Sequence, residues 1–483
     1  MRKEKYIGLA LLTMLCLFAF TIASSTAVAT SQTNTVNVNE TTSLKAETNF
    51  EAVNMNTYTG SGFLYNTVSE LRTAYDLNPL YAEGYNGHGE TVAIIDAFGD
   101  PTIYQDLVSF VAFQNAYGAN LPWTTVSQVE QHLHIYYPQG KPKFNNTDPD
   151  QLGWSVEITL DVDMVHSIAP GANIALVISY NDSNTAMDYA VNFAIVHHLG
   201  CDISQSWGTP EYGYVTPSDF AELRYEHSLY LKAAMEGITC FASSGDWGAA
   251  NFWTYNNPIY PASDPYVTAT GGTNLFMVCN NGTYLEGTGN WINQPSPCVG
   301  TSYNYEIAGN DYEAMVADGY PAPFDLVTTG GAMSTLFSLP WWQYGITLTS
   351  ANGAKVQPTG RCTSDVSFNS GVYGGLGACP WNVTGQNIYY IIGGTSACSP
   401  FWAALTAIAC QYAHHNLGYI NPMLYMSMPL LYKVHAIHDI TQGDNTYPTG
   451  STPIGYEATP GWDAPTGIGS PNAALLVPIM AWW

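Results

Sequence analysis

Four short apolar runs punctuate the chain: TVAIID at 91–96, IALVIS at 174–179, DISQS at 202–206 and ITCFAS at 238–243. Each is bounded by Gly, Pro or Asn and reads as continuous rather than alternating, the pattern of a strand covered on both faces. Helical spacing fills the stretches between them, as at 155–169, where Ile158, Val162, Val165 and Ala169 form one stripe. Strands of this kind separated by helices predict an α/β fold with a doubly wound, mostly parallel sheet and helices on both faces. Such sheets bind ligands beyond the carboxyl ends of their strands, which here carry Asp96, Ser206-Trp207-Gly208 and Ser244-Gly245-Asp246. Residues 271–340 read as loops around a second β-rich stretch, a helix opens at Gly393 and runs toward His415, and the tail at 435–472 is irregular.

The amino terminus is organised differently. Residues 1–5 are basic, 6–23 are apolar, and small residues follow at Ala27 and Ala29, so 1–29 reads as a secretory signal, with an uncleaved anchor as the alternative. No second span follows. Residues 30–57, a Ser/Thr/Asn/Val mixture without periodicity, give a linker or short pro-segment at 30–60, ahead of one domain at 61–483.

Composition narrows the function. The 483 residues hold only 12 Lys+Arg against 38 Asp+Glu, a formal charge of −26, and those cations are scattered, which excludes a duplex nucleic-acid binder. Only 10% of residues are charged, so the surface is built from Tyr, Asn, Thr, Ser and Gly; this suits an acid environment, or a neutral extracellular one under glycans. Sequons at Asn39, Asn145, Asn181, Asn281 and Asn382 and eight cysteines beyond the signal agree with export. Cys279/Cys298 and Cys362/Cys379 flank loops suited to disulfides, while Cys201, Cys240, Cys398 and Cys410 sit in apolar runs as buried thiols. No Cys-x-x-Cys or His-Glu-x-x-His spacing points to zinc.

Four candidates for chemistry emerge, each with an ordinary structural alternative. Ser396, in Gly393-Gly394-Thr395-Ser396-Ala397, stands where a sharp turn meets a helix amino terminus; it is either a nucleophile beside an oxyanion site or a plain N-cap. Glu157 and Asp161 share one helix face at i, i+4, as a proton-sharing general base with its orienting partner or as a solvated acidic face. Asp246 ends a strand, as a protonated oxyanion donor or an Asx-turn. Asp439, Ile440, Gly461 and Asp463 offer hard oxygen ligands for Ca²⁺, or ordinary turn acids.

Taken in order, these segments resemble the sedolisins, the serine-carboxyl peptidases of subtilisin-like fold. The matches are Glu157-x-x-x-Asp161 followed by Ile168-Ala-Pro-Gly-Ala172, Ser206-Trp-Gly208, Ala242-Ser-Ser-Gly-Asp246, Tyr260-Pro-Ala-Ser263, Val267-Thr-Ala-Thr-Gly-Gly-Thr273, Gly393-Gly-Thr-Ser-Ala397, Asn421-Pro-Met-Leu-Tyr425, Asp439-Ile-Thr441 and Gly461-Trp-Asp463. The resemblance implies a secreted, acid-acting endopeptidase with Ser396 as nucleophile, Glu157 as general base and acid, Asp161 as its partner and Asp246 as oxyanion donor. It implies one calcium site on the side chains of Asp439 and Asp463 and the carbonyls of Ile440, Thr459 and Gly461, with Trp207 near the carboxylates. Polypeptide substrates are the implied partners, taken in an extended cleft by a monomer without stable membrane insertion once the signal is cleaved.

The chain departs from the family in lacking room before residue 61 for a large folded propeptide, in carrying Asp96 where many members have Glu, and in Thr459 and Ser364 for a common Gly and Pro. A subtilisin-type triad would need a histidine, for which only His88 and His166 lie near the motifs. The remaining alternative is a catalytically inactive surface or interaction protein that keeps a peptidase fold.

Overall fold

Val92 and Ile94 pack in one hydrophobic cluster and Ala93 and Ile95 in another, so the first strand is covered on both sides, as its unbroken apolar run requires. This strand, β1 (Thr91–Ala97), is central in a computed structural model that describes residues 44–55, 65–251, 255–279, 284–286, 299–312, 327–447 and 453–483. The expected signal, Asn39, Asn281 and Cys298 lie outside the described residues.

Around β1 are β2 (Leu133–Tyr136), β3 (Asn173–Ser179), β4 (Asp202–Gln205), β5 (Thr239–Ser243), β6 (Thr268–Cys279) and β7 (Val366–Asn369). The spatial order is β2-β3-β1-β4-β5-β6, with β7 beside β6, and every one of these pairings is parallel. Antiparallel strands Tyr284–Glu286 and Gly300–Ala308 flank the distal half of β6, which is the β-rich stretch the sequence suggested after 271. The chain therefore has the doubly wound α/β sheet, with the order reversing at β1 and opening a crevice beyond the strands' carboxyl ends.

Helices α1 (Pro149–Ile168) and α4 (Cys398–Ala413) cover one face, and α2 (Asn184–Val196) and α3 (Pro217–Met235) the other. Asp148 caps α1 by accepting from the Asp150 amide, and Pro149 follows at the first helical position. Every residue of α1 from Trp154 to Ile168 is buried, so it is a central helix covered well beyond its one apolar stripe, and the alternative of a solvated acidic face at Glu157 and Asp161 falls. The helix at Gly393 also starts later than expected: strand Ile388–Gly393 ends there, Gly394 turns with φ +104°, and a short 3-10 turn leads into α4.

Residues 44–55, within the expected linker or pro-segment, are ordered into strands. Glu47–Thr48 pairs antiparallel with Trp207–Pro210, and Glu51–Asn54 pairs antiparallel with Ile388–Gly393. The expected Cys362–Cys379 disulfide is absent. Both are buried free thiols, because Cys362 lies on a strand paired with Met333–Ser338 and Cys379 on one paired with Ile388–Gly393, in different sheets. Cys201, Cys240, Cys398 and Cys410 are buried free thiols as expected, and Cys279 is disulfide-bonded. Among the described residues no helix is long and apolar enough to cross a membrane.

Candidate active site

Helix geometry puts Glu157 and Asp161 one turn apart on α1, and both are fully buried. The sharp turn at Gly394 delivers Ser396 to the same place. Its Oγ donates to Glu157 Oε2 at 3.0 Å, with the Ser206 carbonyl as an alternative acceptor at 3.1 Å. Ser206, just past β4, donates its own hydroxyl to Asp161 Oδ1 at 2.7 Å. Asp246 follows β5, and its Oδ1 accepts from the amide and hydroxyl of Thr395, both at 2.7 Å. Four sequence-predicted residues, Ser396, Glu157, Asp161 and Asp246, thus converge from one helix, one strand end and the turn that leads into α4.

In the sequence Ser206 and Thr395 stand out only as parts of motifs; their hydroxyls hold Asp161 and Asp246. Trp207 lies close by, yet its indole donates to the Ile95 carbonyl at 2.7 Å and not to a carboxylate. Asp96, at the end of β1, is fully buried with both oxygens unpartnered, as are Glu157 Oε1, Asp161 Oδ2 and Asp246 Oδ2.

Burial dominates the electrostatics. It raises Glu157 well above the ordinary carboxylate range, helped by the charges of Asp161 and Asp96, and raises Asp161 likewise, helped by Asp96. Burial also lifts Asp96 to about 8 and Asp246 to about 7. None of the ion pairs among the described residues involves these groups, so protons are what neutralise them. Three interacting carboxyls lose protons stepwise as a unit, the first far more easily than the last.

No histidine does this work among the described residues. His166 is buried, stacks on Trp123 at 4.0 Å between ring centroids, bonds the Pro122 carbonyl, and is held neutral by burial, which lowers it to about 3. His88 is exposed.

Of the residues expected to hold calcium, Asp439 and Asp463 lie within electrostatic reach of each other, each bonded to an amide of the 459–461 turn. Gly461 donates its amide to both Asp439 oxygens, at 3.1 and 3.2 Å, and Thr459 donates its amide to Asp463 Oδ2 at 3.0 Å. Asp463 is buried, its partners are neutral donors, and burial raises it to about 8, with the Asp439 charge adding to the push. Two mutually repelling carboxylates are hard oxygen donors of the kind a divalent cation such as calcium takes.

The crevice is not open at Ser396. The Ser396 amide donates to the carbonyl of Asn49 at 2.9 Å, and the Asn49 side chain donates to Ser243 Oγ at 2.8 Å. A Cβ on Gly394 would sit 2.4 Å from Asp246 Oδ2, 2.5 Å from the Asn49 carbonyl oxygen and 2.7 Å from Phe50 Cα, so all three crowd one side of that glycine.

No family model matches the chain. It is 31% identical over 405 residues to kumamolisin from Bacillus sp. (strain MN-32), covering 82% of this chain and 61% of that protein. It is 28% identical over 445 residues to sedolisin from Pseudomonas sp. (strain 101), covering 86% of this chain and 67% of that protein. The chain thus spans less than two thirds of kumamolisin and about two thirds of sedolisin. A solved structure of the Pseudomonas sedolisin, a serine-carboxyl proteinase complexed with two molecules of pseudo-iodotyrostatin, matches with a TM-score of 0.64 and 26% identity, over 87% of this chain and 98% of that one. Sequence likeness along most of the chain and a shared subtilisin-like fold lead to one assignment: the chain belongs to the sedolisin family.

Proposed function

We propose that this chain is an exported, acid-acting serine-carboxyl endopeptidase that cleaves polypeptides through an acyl-enzyme on Ser396. The observation that carries the reading is the 3.0 Å hydrogen bond from Ser396 Oγ to Glu157, a buried carboxyl electrostatically coupled to Asp161 and Asp96. Glu157 in its carboxylate form takes the Ser396 proton as Oγ attacks the peptide carbonyl carbon. The oxyanion accepts from the Ser396 amide and from protonated Asp246 Oδ2. Glu157 then gives its proton to the departing amine as the C–N bond breaks; water attacks the Ser396 ester while losing a proton to Glu157, and as the C–Oγ bond breaks Glu157 returns that proton to Ser396 Oγ and the acid is released. Asp161 positions Glu157 and shares its protons.

The stepwise titration of the buried carboxyls gives this scheme its pH range. Burial and mutual repulsion make the cluster hold its protons more tightly than free carboxyls do, so Glu157 and Asp161 share protons between them, and Asp246 keeps the proton it must donate until about neutrality. One calcium ion held by Asp439, Asp463 and the carbonyls of Ile440, Thr459 and Gly461 would pin the tail through charge neutralisation, a structural duty. The disulfide at Cys279 supports export to an oxidising compartment, and the chain acts as a monomer on extended polypeptide.

Hydrolysis of a denatured protein between about pH 2 and pH 8, with calcium present, tests the reading. Activity that peaks below about pH 5 and disappears in Ser396→Ala is the expected result. No hydrolysis by the folded, calcium-loaded protein at any pH, or activity that survives Ser396→Ala, overturns it.

A further inference from the structure

On the face of the sheet opposite α1 and α4, two helices bring three acids together. Asp188 comes from α2, and Glu222 and Glu226 stand one turn apart on α3. One carboxylate oxygen from each lies within 4.8 Å of the others, about the widest spacing at which oxygens share one calcium ion at about 2.3–2.6 Å each. Like charges at i, i+4 destabilise a helix, and a third acid facing them adds to that cost. The glutamates meet neutral donors. Thr185 Oγ1 donates to Glu222 Oε1 at 2.6 Å, and the Tyr214 hydroxyl, which accepts from Asn184 Nδ2 at 2.9 Å, donates to Glu226 Oε2 at 3.1 Å. Asp188 has no such help: it is 4% exposed, and its Oδ2 is buried without a hydrogen-bond partner among the described residues. The charges of Glu226 and Glu222 bear on it directly, so it is aimed at the pair. No ion pair among the described residues involves the three, and Arg224, between the glutamates in sequence, is exposed and joins none. Elsewhere α3 does pair its charges, Lys232 with Glu236 at 3.9 Å.

We propose that Asp188, Glu222 and Glu226 hold a calcium ion that clamps α2 to α3, in addition to the one proposed at Asp439 and Asp463. The inference does not rest on the peptidase reading, since none of its residues belongs to the catalytic set. Three carboxylates supply hard oxygens and the negative charge that calcium takes, and the absence of nitrogen and sulfur donors from the trio disfavours zinc and copper. A bare, buried carboxylate oxygen is what a metal ligand leaves when the ion is lifted out, because a cation fits between oxygens where water cannot reach. Binding displaces the protons that otherwise neutralise the group. Because the ligands come from two helices, the ion is held by the folded chain and stabilises it.

Calorimetric titration of the chelator-treated full chain with calcium chloride, near neutral pH, counts the sites, and Tm with and without calcium reads the clamp. The wild type is compared with Asp188→Asn, Asp439→Asn and the double variant. Asp439→Asn is expected to keep one bound calcium and a calcium-induced rise in Tm, and the double variant to lose both. Asp188→Asn alone binds one calcium fewer than the wild type, yet without calcium its Tm equals or exceeds the wild-type value, because a repelling charge is gone and the shape is kept. That pattern separates a cation site from a merely structural acid, whose replacement changes Tm equally with and without calcium. Glu222→Gln, at the partly exposed member of the trio, repeats the count if Asp188→Asn does not fold. No calcium bound by folded Asp439→Asn, or a wild-type count in Asp188→Asn or Glu222→Gln, overturns the inference. Hydrolysis of denatured protein, followed alongside, keeps the two readings apart: its failure with the calcium count as expected overturns the peptidase reading alone.

Discussion

Asp246 separates a protonated-acid mechanism from a mere structural turn. Its Oδ1 is fixed by Thr395 and its Oδ2 is free and buried, so only the neutral acid can donate from Oδ2. Asp246→Ala is expected to lower kcat by about 10²–10³, the usual effect of losing one oxyanion donor. Asp246→Asn keeps an acceptor for Thr395 and a donor at the second position without needing a proton. It should retain more activity than the alanine variant, and the fall in kcat as pH rises through about 7 should disappear. A pH profile of kcat for the three proteins is the measurement, and an alkaline limb unmoved in Asp246→Asn would remove Asp246 from that role. Glu157→Gln should lose about 10²–10⁴ in kcat, since an amide cannot take the Ser396 proton.

Among elements, the turn between strand Ile388–Gly393 and α4 sets the position of Ser396. Gly394 is the hinge: its φ of +104° is a region that side chains disfavour, and an added Cβ would strike Asp246, Asn49 and Phe50. Gly394→Ala should destabilise the fold by roughly 1–3 kcal/mol, seen as a lower Tm, and remove most peptidase activity. A variant with wild-type Tm and kcat would show that the turn has slack the structure does not suggest. The same scale shows what the sequence made legible. Glu157 and Asp161 could be placed together because helix geometry fixes i, i+4 neighbours, and Asp96 and Asp246 because covered strands end at a predictable edge. The hydroxyl partners Ser206 and Thr395 depend on contacts between distant segments, which no local period encodes. Residues 44–55 have no periodicity of their own, since their ladders are supplied by strands far along the chain. The Cys362–Cys379 expectation failed for a related reason: nearness in sequence says nothing about which sheet each strand joins.

Across the whole molecule, buried acids tie stability to pH. Burial raises Asp96 to about 8, Asp100 to about 7 and Asp106 to about 6, and lifts Asp188 and Glu226 well above the ordinary range where they crowd Glu222. The folded chain therefore binds these protons more tightly than the unfolded chain, whose aspartates titrate near about 3.9. Their stabilising contribution is fully present below about pH 4 and is lost as pH rises toward about 8. With only 12 Lys+Arg in the chain, few cations oppose this at low pH. Thermal unfolding followed from about pH 3 to pH 8 should show Tm falling across that window, and a rising Tm would contradict the burial argument. Chelation should lower Tm at fixed pH, by an amount that grows with the calcium concentration it removes; at a hundredfold excess over Kd the loss is about 2.7 kcal/mol. Among the described residues six thiols are free and buried: Cys201, Cys240, Cys362, Cys379, Cys398 and Cys410. A thiol reagent can meet them only when the surrounding structure opens, so each labels at the rate of its own local opening. These six act as internal clocks, five in one hydrophobic cluster and Cys240 in the other, and the order in which they react reports the sequence in which the surrounding parts come undone.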